Sequence, residues 1–196
     1  MKTRARAAAL VLACALAARA EDVRVEPRQF VKQGRFFTSL GVAWLERSDY
    51  WLSPGLLLSA SYYPTERGGP EARLFLFFSS LSDSAQRIST TTGFVPDARQ
   101  PNALALIGWR QSLTYGKVAI AGTALHFDLQ GAAHAGGLFT DAGLAPAFGA
   151  SGGIVGRLGS HVFAQLDLGL LLSFEQRQRS SAALGFLPVF SLGVDL

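Results

Sequence analysis

The chain is predicted to be all-β: an eight-stranded antiparallel up-and-down transmembrane β-barrel, closed on itself. Three observations predict it. Apolar residues recur at every second position in stretches of about ten residues, the length a tilted strand needs to cross a bilayer. Residues of apolar type make up 49% of the chain, yet beyond the first 20 no run of about 18 apolar residues offers a transmembrane helix. Lysine is nearly absent beyond that leader, with only Lys32 and Lys117, so no strand face reads as a water-facing one.

Residues 1–20 read as a secretory signal. Lys2, Arg4 and Arg6 form a basic start, Ala7 to Ala18 an apolar core, and Ala18-Arg19-Ala20 a small-x-small cleavage site. An alternative processing route starts from Val11-Leu12-Ala13-Cys14, which loosely resembles a lipobox and would lipidate Cys14. Four of the 18 basic residues lie in this leader and no acid does, which leaves 14 bases against 14 acids. The high sequence pI of about 9.6 therefore belongs to the leader, and a nucleic-acid partner loses its electrostatic basis. The single Cys is also in the leader, so the remaining chain has neither disulfides nor a thiolate metal site. Residues 21–34 are expected as a short periplasmic segment, and 35–196 as the barrel domain.

Strand one is expected over 35–45, with Phe36, Leu40, Val42 and Trp44 on one face. Strand two covers 53–63, with Leu56, Leu58, Ala60 and Tyr62 aligned. Strand three covers 71–80, where Ala72, Leu74, Leu76 and Phe78 oppose Arg73, Phe75 and Phe77. Strand four covers 103–113. Strand five covers 117–129, with Ala121, Thr123, Leu125 and Phe127 opposite Ala124, His126 and Asp128. Strand six, 144–157, is diluted by Gly149, Gly152, Gly153 and Gly156. Strand seven, 161–174, alternates most cleanly: Val162, Ala164, Leu166, Leu168, Leu170, Leu172 and Phe174 against Phe163, Gln165, Asp167, Gly169, Leu171 and Ser173. Strand eight runs from Phe186 to Leu196 with the same period. Such an apolar last strand is what the barrel-assembly machinery reads, although the usual final residue is aromatic and here it is Leu196.

Between these strands, 64–70, 114–116 and 158–160 are short connections rich in turn residues. The segments 46–52, 81–102, 130–143 and 175–180 fall at the other end, two of them long. Short periplasmic turns, longer outer loops and an even strand count place both termini in the periplasm. Lipid offers no hydrogen bonds, so a spanning sheet must pair every strand and leave no edge. A lumen of eight strands is just filled by side chains, which suits small residues and Gly inside. Trp44, Trp51, Tyr62, Tyr63, Trp109 and Tyr115 lie near strand ends, where an aromatic girdle would sit.

Six short stretches, in order along the chain, resemble the outer-membrane β-barrel domain proteins typical of myxobacteria: VEPRQF from Val25, KQGRF from Lys32, YYPTE from Tyr62, GFVPD from Gly93, YGKV from Tyr115 and HFD from His126. The resemblance implies a small outer-membrane barrel. That family is defined by fold and location rather than by a shared reaction, so it implies no catalytic residues.

Few residue groups suggest chemistry. His126 and Asp128 share one face and would point into the lumen. A His-carboxylate pair can serve a Ser nucleophile, as in outer-membrane lipid hydrolases, but no Ser adjoins them in sequence, and a lumen hydrogen-bond network that neutralises buried polar groups is the favoured reading. Arg73, Arg110, Arg157, Asp167 and Asp195 are expected as paired charges inside the barrel or at its rims rather than a conduction path. The glycines from Gly149 to Gly156 lack the Lys-Ser/Thr ending of a phosphate loop. His134 and His161 have no ligand partners at zinc-like spacing, so no metal and no cofactor are expected. The loop at 81–102 carries a helical turn near 82–88 and is a contact surface or a solvated lid. The expected function is structural or interactive, the outer loops meeting lipopolysaccharide or another envelope partner. The alternatives are a lipid-modifying enzyme working through His126 and Asp128, and a soluble periplasmic carrier of an apolar ligand.

Overall fold

The computed structural model describes residues 31–47, 50–93, 97–120, 123–176 and 181–196, with the backbone alone at 119, 120 and 123–125. Eight long strands build the barrel: β1 (Arg35–Leu45), β2 (Trp51–Tyr63), β3 (Gly68–Phe77), β5 (Pro101–Ile120), β6 (Thr123–Thr140), β7 (Gly143–Arg157), β8 (Val162–Phe174) and β9 (Ala182–Asp195). A two-residue strand β4 (Ser80–Leu81) pairs with the start of β2, and helix α1 (Asp83–Thr92) follows it. Each barrel strand is antiparallel to its neighbours in the order β1-β9-β8-β7-β6-β5-β3-β2, and β1 pairs again with β2. The sheet is closed, so no barrel strand has a bare edge along its paired length.

Alternation decides which side chain goes where. Along β8, Val162, Leu166, Leu168, Leu170 and Phe174 are exposed while Phe163, Gln165, Asp167, Leu171 and Ser173 are buried. On β9, Leu184, Phe186, Phe190, Leu192 and Val194 face out while Leu187, Val189, Ser191 and Asp195 face in. Both follow the expected phase. The exterior is thus a continuous apolar wall, with Leu40 68% exposed and Leu168 54% exposed. A water-soluble protein does not present an apolar surface of that extent. In lipid that wall is the stable surface, and the closed ladder satisfies the backbone within it. On β1, Phe36 and Trp44 bound the wall; a rise of about 3.3 Å per residue and the usual strand tilt put them roughly 20 Å apart along the barrel axis.

The interior is layered. Towards the loop end it is apolar, built from Leu45, Leu57, Phe75, Phe77, Leu104, Leu106, Leu138, Leu171 and Leu187. A belt of buried charged and amide groups lies below, and an aromatic layer of Phe37, Tyr63 and Phe163 with Val155 closes the end that holds the termini. An inward face mixing small residues, Ser, Gly, aromatics and an occasional charge was expected; the structure separates these into layers, and the loop-end half is packed with large aliphatic and aromatic side chains. Burying these against each other fills the narrow eight-stranded interior without polar groups to satisfy.

The largest difference from expectation is the β5–β6 hairpin. The turn expected at 114–116 is strand, because β5 continues to Ile120 and pairs with β6 down to Ile120↔Thr123. The segment 117–129 is therefore not one strand but the two arms of a hairpin tip. The loop expected at 130–143 belongs mostly to β6, and Asp141 and Ala142 alone connect it to β7. A bulge between Ser112 and Thr114 leaves Leu113 without a partner and reverses the facing of the residues beyond it. Smaller shifts extend strand two back to Trp51, strand three to Gly68–Phe77 and strand eight back to Ala182. Helix α1 is longer than the turn expected at 82–88: the Ser82 side chain caps its start by accepting from the Ala85 amide at 3.3 Å, and Gly93 ends it at φ 68°.

Candidate functional site

The groups most able to do chemistry meet inside the barrel, one strand register apart. Period-two placement brings Glu71 and Arg73 from β3, Arg110 from β5, Asp128, Gln130 and His134 from β6, and Gln165 and Asp167 from β8 to the lumen, all buried. Arg110 sits at the centre and is 1% exposed. Its Nε donates to Glu71 at 3.0 Å, and its two terminal nitrogens grip Asp167 at 3.2 and 2.8 Å. Arg73 bridges the same two acids, donating to Asp167 and lying 3.2 Å from Glu71. The second Glu71 oxygen meets His134 Nε2 at 2.7 Å. Gln165 donates to Asp167 at 2.7 Å, and Gln130 donates to Asp128 at 2.7 Å.

One member arrives from outside the strands. Lys32, three residues before the start of β1, sends its ammonium group into the barrel to Asp128, 5.2 Å above the Tyr63 ring. Glu66, in the β2–β3 turn, holds the segment in place by accepting from the backbone amides of Lys32 and Gln33, the latter at 2.9 Å. Lys32, Arg73 and Arg110 then balance Glu71, Asp128 and Asp167. Charges taken out of water are tolerated when they are paired, and the network gives each of its three acids a base, with Arg73 Nε in ion-pair contact with Glu71 rather than hydrogen-bonded. The void among Lys32, Phe37, Tyr63, Glu71 and Gln130 measures about 10 Å³, at the threshold for a single water.

His126 and Asp128 are not brought together. Asp128 is 1% exposed, and its oxygens accept from Lys32, Ser112 and Gln130. His126 lies one residue beyond the last β6–β7 pair and stacks on Tyr115, ring centroids 5.9 Å apart. A Ser does touch the carboxylate, but no imidazole stands between Ser112 and Asp128, which a Ser-His-Asp relay requires. Of the five charged residues singled out, Arg73, Arg110 and Asp167 form the lumen core. Arg157 and Asp195 pair at the terminus-side rim at 3.4 Å, where Asp195 also meets Arg35 and His161. At the loop end Arg47 pairs with Glu175, and the Arg99 backbone oxygen accepts from Arg47. The aromatic girdle is partly as expected: Trp44, Trp109 and Tyr62 face out, whereas Tyr63 and Tyr115 turn inward. Among the described residues no group of three His, Cys, Asp or Glu side chains could hold a metal. Cys14 lies outside the described residues.

No family model matches the chain, and no curated protein does. Solved structures do. A transmembrane β-barrel from de novo design matches at TM-score 0.43 and 13% identity, over 84% of this chain and 98% of the other. Ail, the attachment invasion locus protein of Yersinia pestis, matches at 0.43 and 10%, over 84% and 99%. The outer membrane protein OprG from Pseudomonas aeruginosa matches at 0.41 and 10%, over 87% and 99%. At these scores the barrel assignment stands on the strand pairings themselves. The myxobacterial-type resemblance gains no support from the matches and stands on its short motifs.

Proposed function

We propose that the protein is an outer-membrane β-barrel of structural and interaction type in a Gram-negative envelope, exported by its leader and inserted with the loop end outward. One observation carries the reading: a closed barrel with an apolar exterior, mostly exposed Leu, Ile, Val and Phe, encloses a charge-balanced, filled interior. Such a body is stable in lipid and transports nothing through its centre, so its interactions belong to its surfaces and loops. The segment between β3 and β5, with α1, is the largest of these and is the proposed contact surface for lipopolysaccharide or an envelope partner. The C-terminal strand is the proposed handle for the assembly machinery; its last residue pairs with β1, Leu196 N donating to Phe36 O at 2.8 Å.

Cell fractionation tests the reading. The protein is expected in the outer-membrane fraction, released by detergent and not by osmotic shock, and migrating differently on gels before and after boiling. A protease tag placed in α1 is expected to be cut in intact cells. Release by osmotic shock in a folded form would replace this reading with the soluble carrier, which the filled lumen gives no room for a ligand. The lipid-modifying alternative keeps its own test: lipid A and phospholipid profiles unchanged between wild type and His126→Ala would end it.

A further inference from the structure

We propose that the outer wall at the β3–β5 seam holds a phospholipid of the leaflet on the terminus side, chain in an apolar groove and headgroup against Arg67. The proposal rests on the transmembrane reading and names a ligand and a place within it. Most of the exterior carries large side chains, but here the outward positions are small. Ala60, Ala72, Ala105, Ala135 and Gly137 sit on consecutive strands, paired as Ala60↔Ala72 and Ala105↔Gly137. They floor a groove of about 740 Å³ whose sides are Leu58, Leu74, Ile107, Phe139 and Leu144. Ile107 is 71% exposed and Leu144 66%, so these sides stand well clear of the floor.

The groove does not end there. A second hollow of about 450 Å³ shares Ala60, Ala72 and Ile107 with it and continues down to Phe36, Tyr62 and Pro70. Below that, on the same pair of strands, lies a third of about 310 Å³, and its lining changes to Arg67, Gln111, Ser112 and Thr114 beside Leu113 and Tyr115. Gly68 pairs with Gln111, and Ser112 N donates to Arg67 O at 2.6 Å, which seats Arg67 directly under the groove. Arg67 is exposed and makes no ion pair among the described residues. An apolar channel opening onto the Thr114 hydroxyl, the Gln111 amide and a guanidinium with no ion pair among the described residues has the profile of an amphiphile with an anionic head. The polar end lies on the side of the termini, which selects a phospholipid there over the lipid A of the opposite leaflet.

The test is native mass spectrometry of the full protein extracted from membranes in mild detergent, with bound lipid identified by chain and headgroup. Wild type is expected to retain phospholipid. Arg67→Gln is expected to lower that retention about fivefold, the factor for one basic side chain at an anionic lipid surface. Ala135→Phe fills the groove from the lipid side and is expected to reduce it as strongly. Heat-modifiable migration of each variant shows that the barrel is intact; a variant that fails it is replaced by Ala105→Phe or Arg67→Ala. Equal retention in wild type and both variants means adventitious lipid only and overturns the proposal, as does recovery of lipid A in place of phospholipid. If the wild type needs no detergent to stay folded, the transmembrane reading fails instead, and the two failures are distinguishable.

Discussion

Arg110→Met removes the centre of the lumen network without changing the barrel's shape. The guanidinium makes four hydrogen bonds, to Glu71, Gln130 and twice to Asp167, and it is 1% exposed. Arg73 still touches both acids, and His134 still touches Glu71, so the acids are weakened rather than stripped. The buried belt nevertheless goes from three bases against three acids to two against three. Four bonds made by a charged guanidinium, three of them to carboxylates, at about 1.5–3 kcal/mol each would suggest a very large loss. Desolvation of the guanidinium offsets much of it, and breaking one partner of a buried pair costs about 3–5 kcal/mol. We expect that range from urea unfolding of the barrel in lipid vesicles, followed by tryptophan fluorescence. Adding Asp167→Leu to Arg110→Met restores two bases... against two acids once Arg73 is matched to Glu71 and Lys32 to Asp128, and is expected to recover at least about 1 kcal/mol of the loss. A change below about 0.5 kcal/mol for Arg110→Met would refute the claim that the network holds the interior together.

Three further outcomes follow from the same picture. Gly153 pairs with Asp167, and a Cβ there would strike the Asp167 carboxylate and lie 2.5 Å from the Leu166 carbonyl oxygen, so Gly153→Ala is expected to cost about 1–3 kcal/mol in the same unfolding measurement. Lys32→Met leaves Asp128 buried with only Ser112 and Gln130, and a loss of about 1–3 kcal/mol is expected although the change lies outside every strand. Leu168→Arg puts a charge at the middle of the outer wall; in vesicles it is expected to cost about 2–4 kcal/mol, whereas a wall facing water would tolerate it.

How much of this was legible in the sequence depended on the size of the outward side chains. On β8 and β9 large apolar residues mark every outward position, so phase, facing and the inward Asp167 and Asp195 were all readable. On β6 the outward positions are Gly131, Ala133, Ala135 and Gly137, too small to give a period, and the strand read as a loop. Tyr115-Gly116 had the composition of a turn, while the pairing that makes it strand comes from Phe127 and Asp128 across the hairpin. The bulge at Leu113 then hid the change of facing. Arg73, Arg110 and Asp167 could be placed in the lumen by alternation, but Glu71, the second acid that the two arginines share, was read only as the start of a strand. Lys32 could not be found that way at all, because its place depends on Glu66 holding a segment that belongs to no strand. His126 and Asp128 stand two residues apart on β6, but Asp128 bonds to Lys32, Ser112 and Gln130 while His126 stacks on Tyr115, partners that no spacing in the sequence announces.

The central claim is that acyl chains solvate one face of each strand while the other face is enclosed. Single spin labels placed along β8 in vesicles, with collision by oxygen and by a water-soluble nickel chelate, test it most directly. Labels at Leu166, Leu168, Leu170 and Leu172 are expected to meet oxygen and to be shielded from nickel, while labels at Gln165, Gly169 and Leu171 meet neither. Ready collision of the nickel chelate with the label at Leu168 would contradict the account.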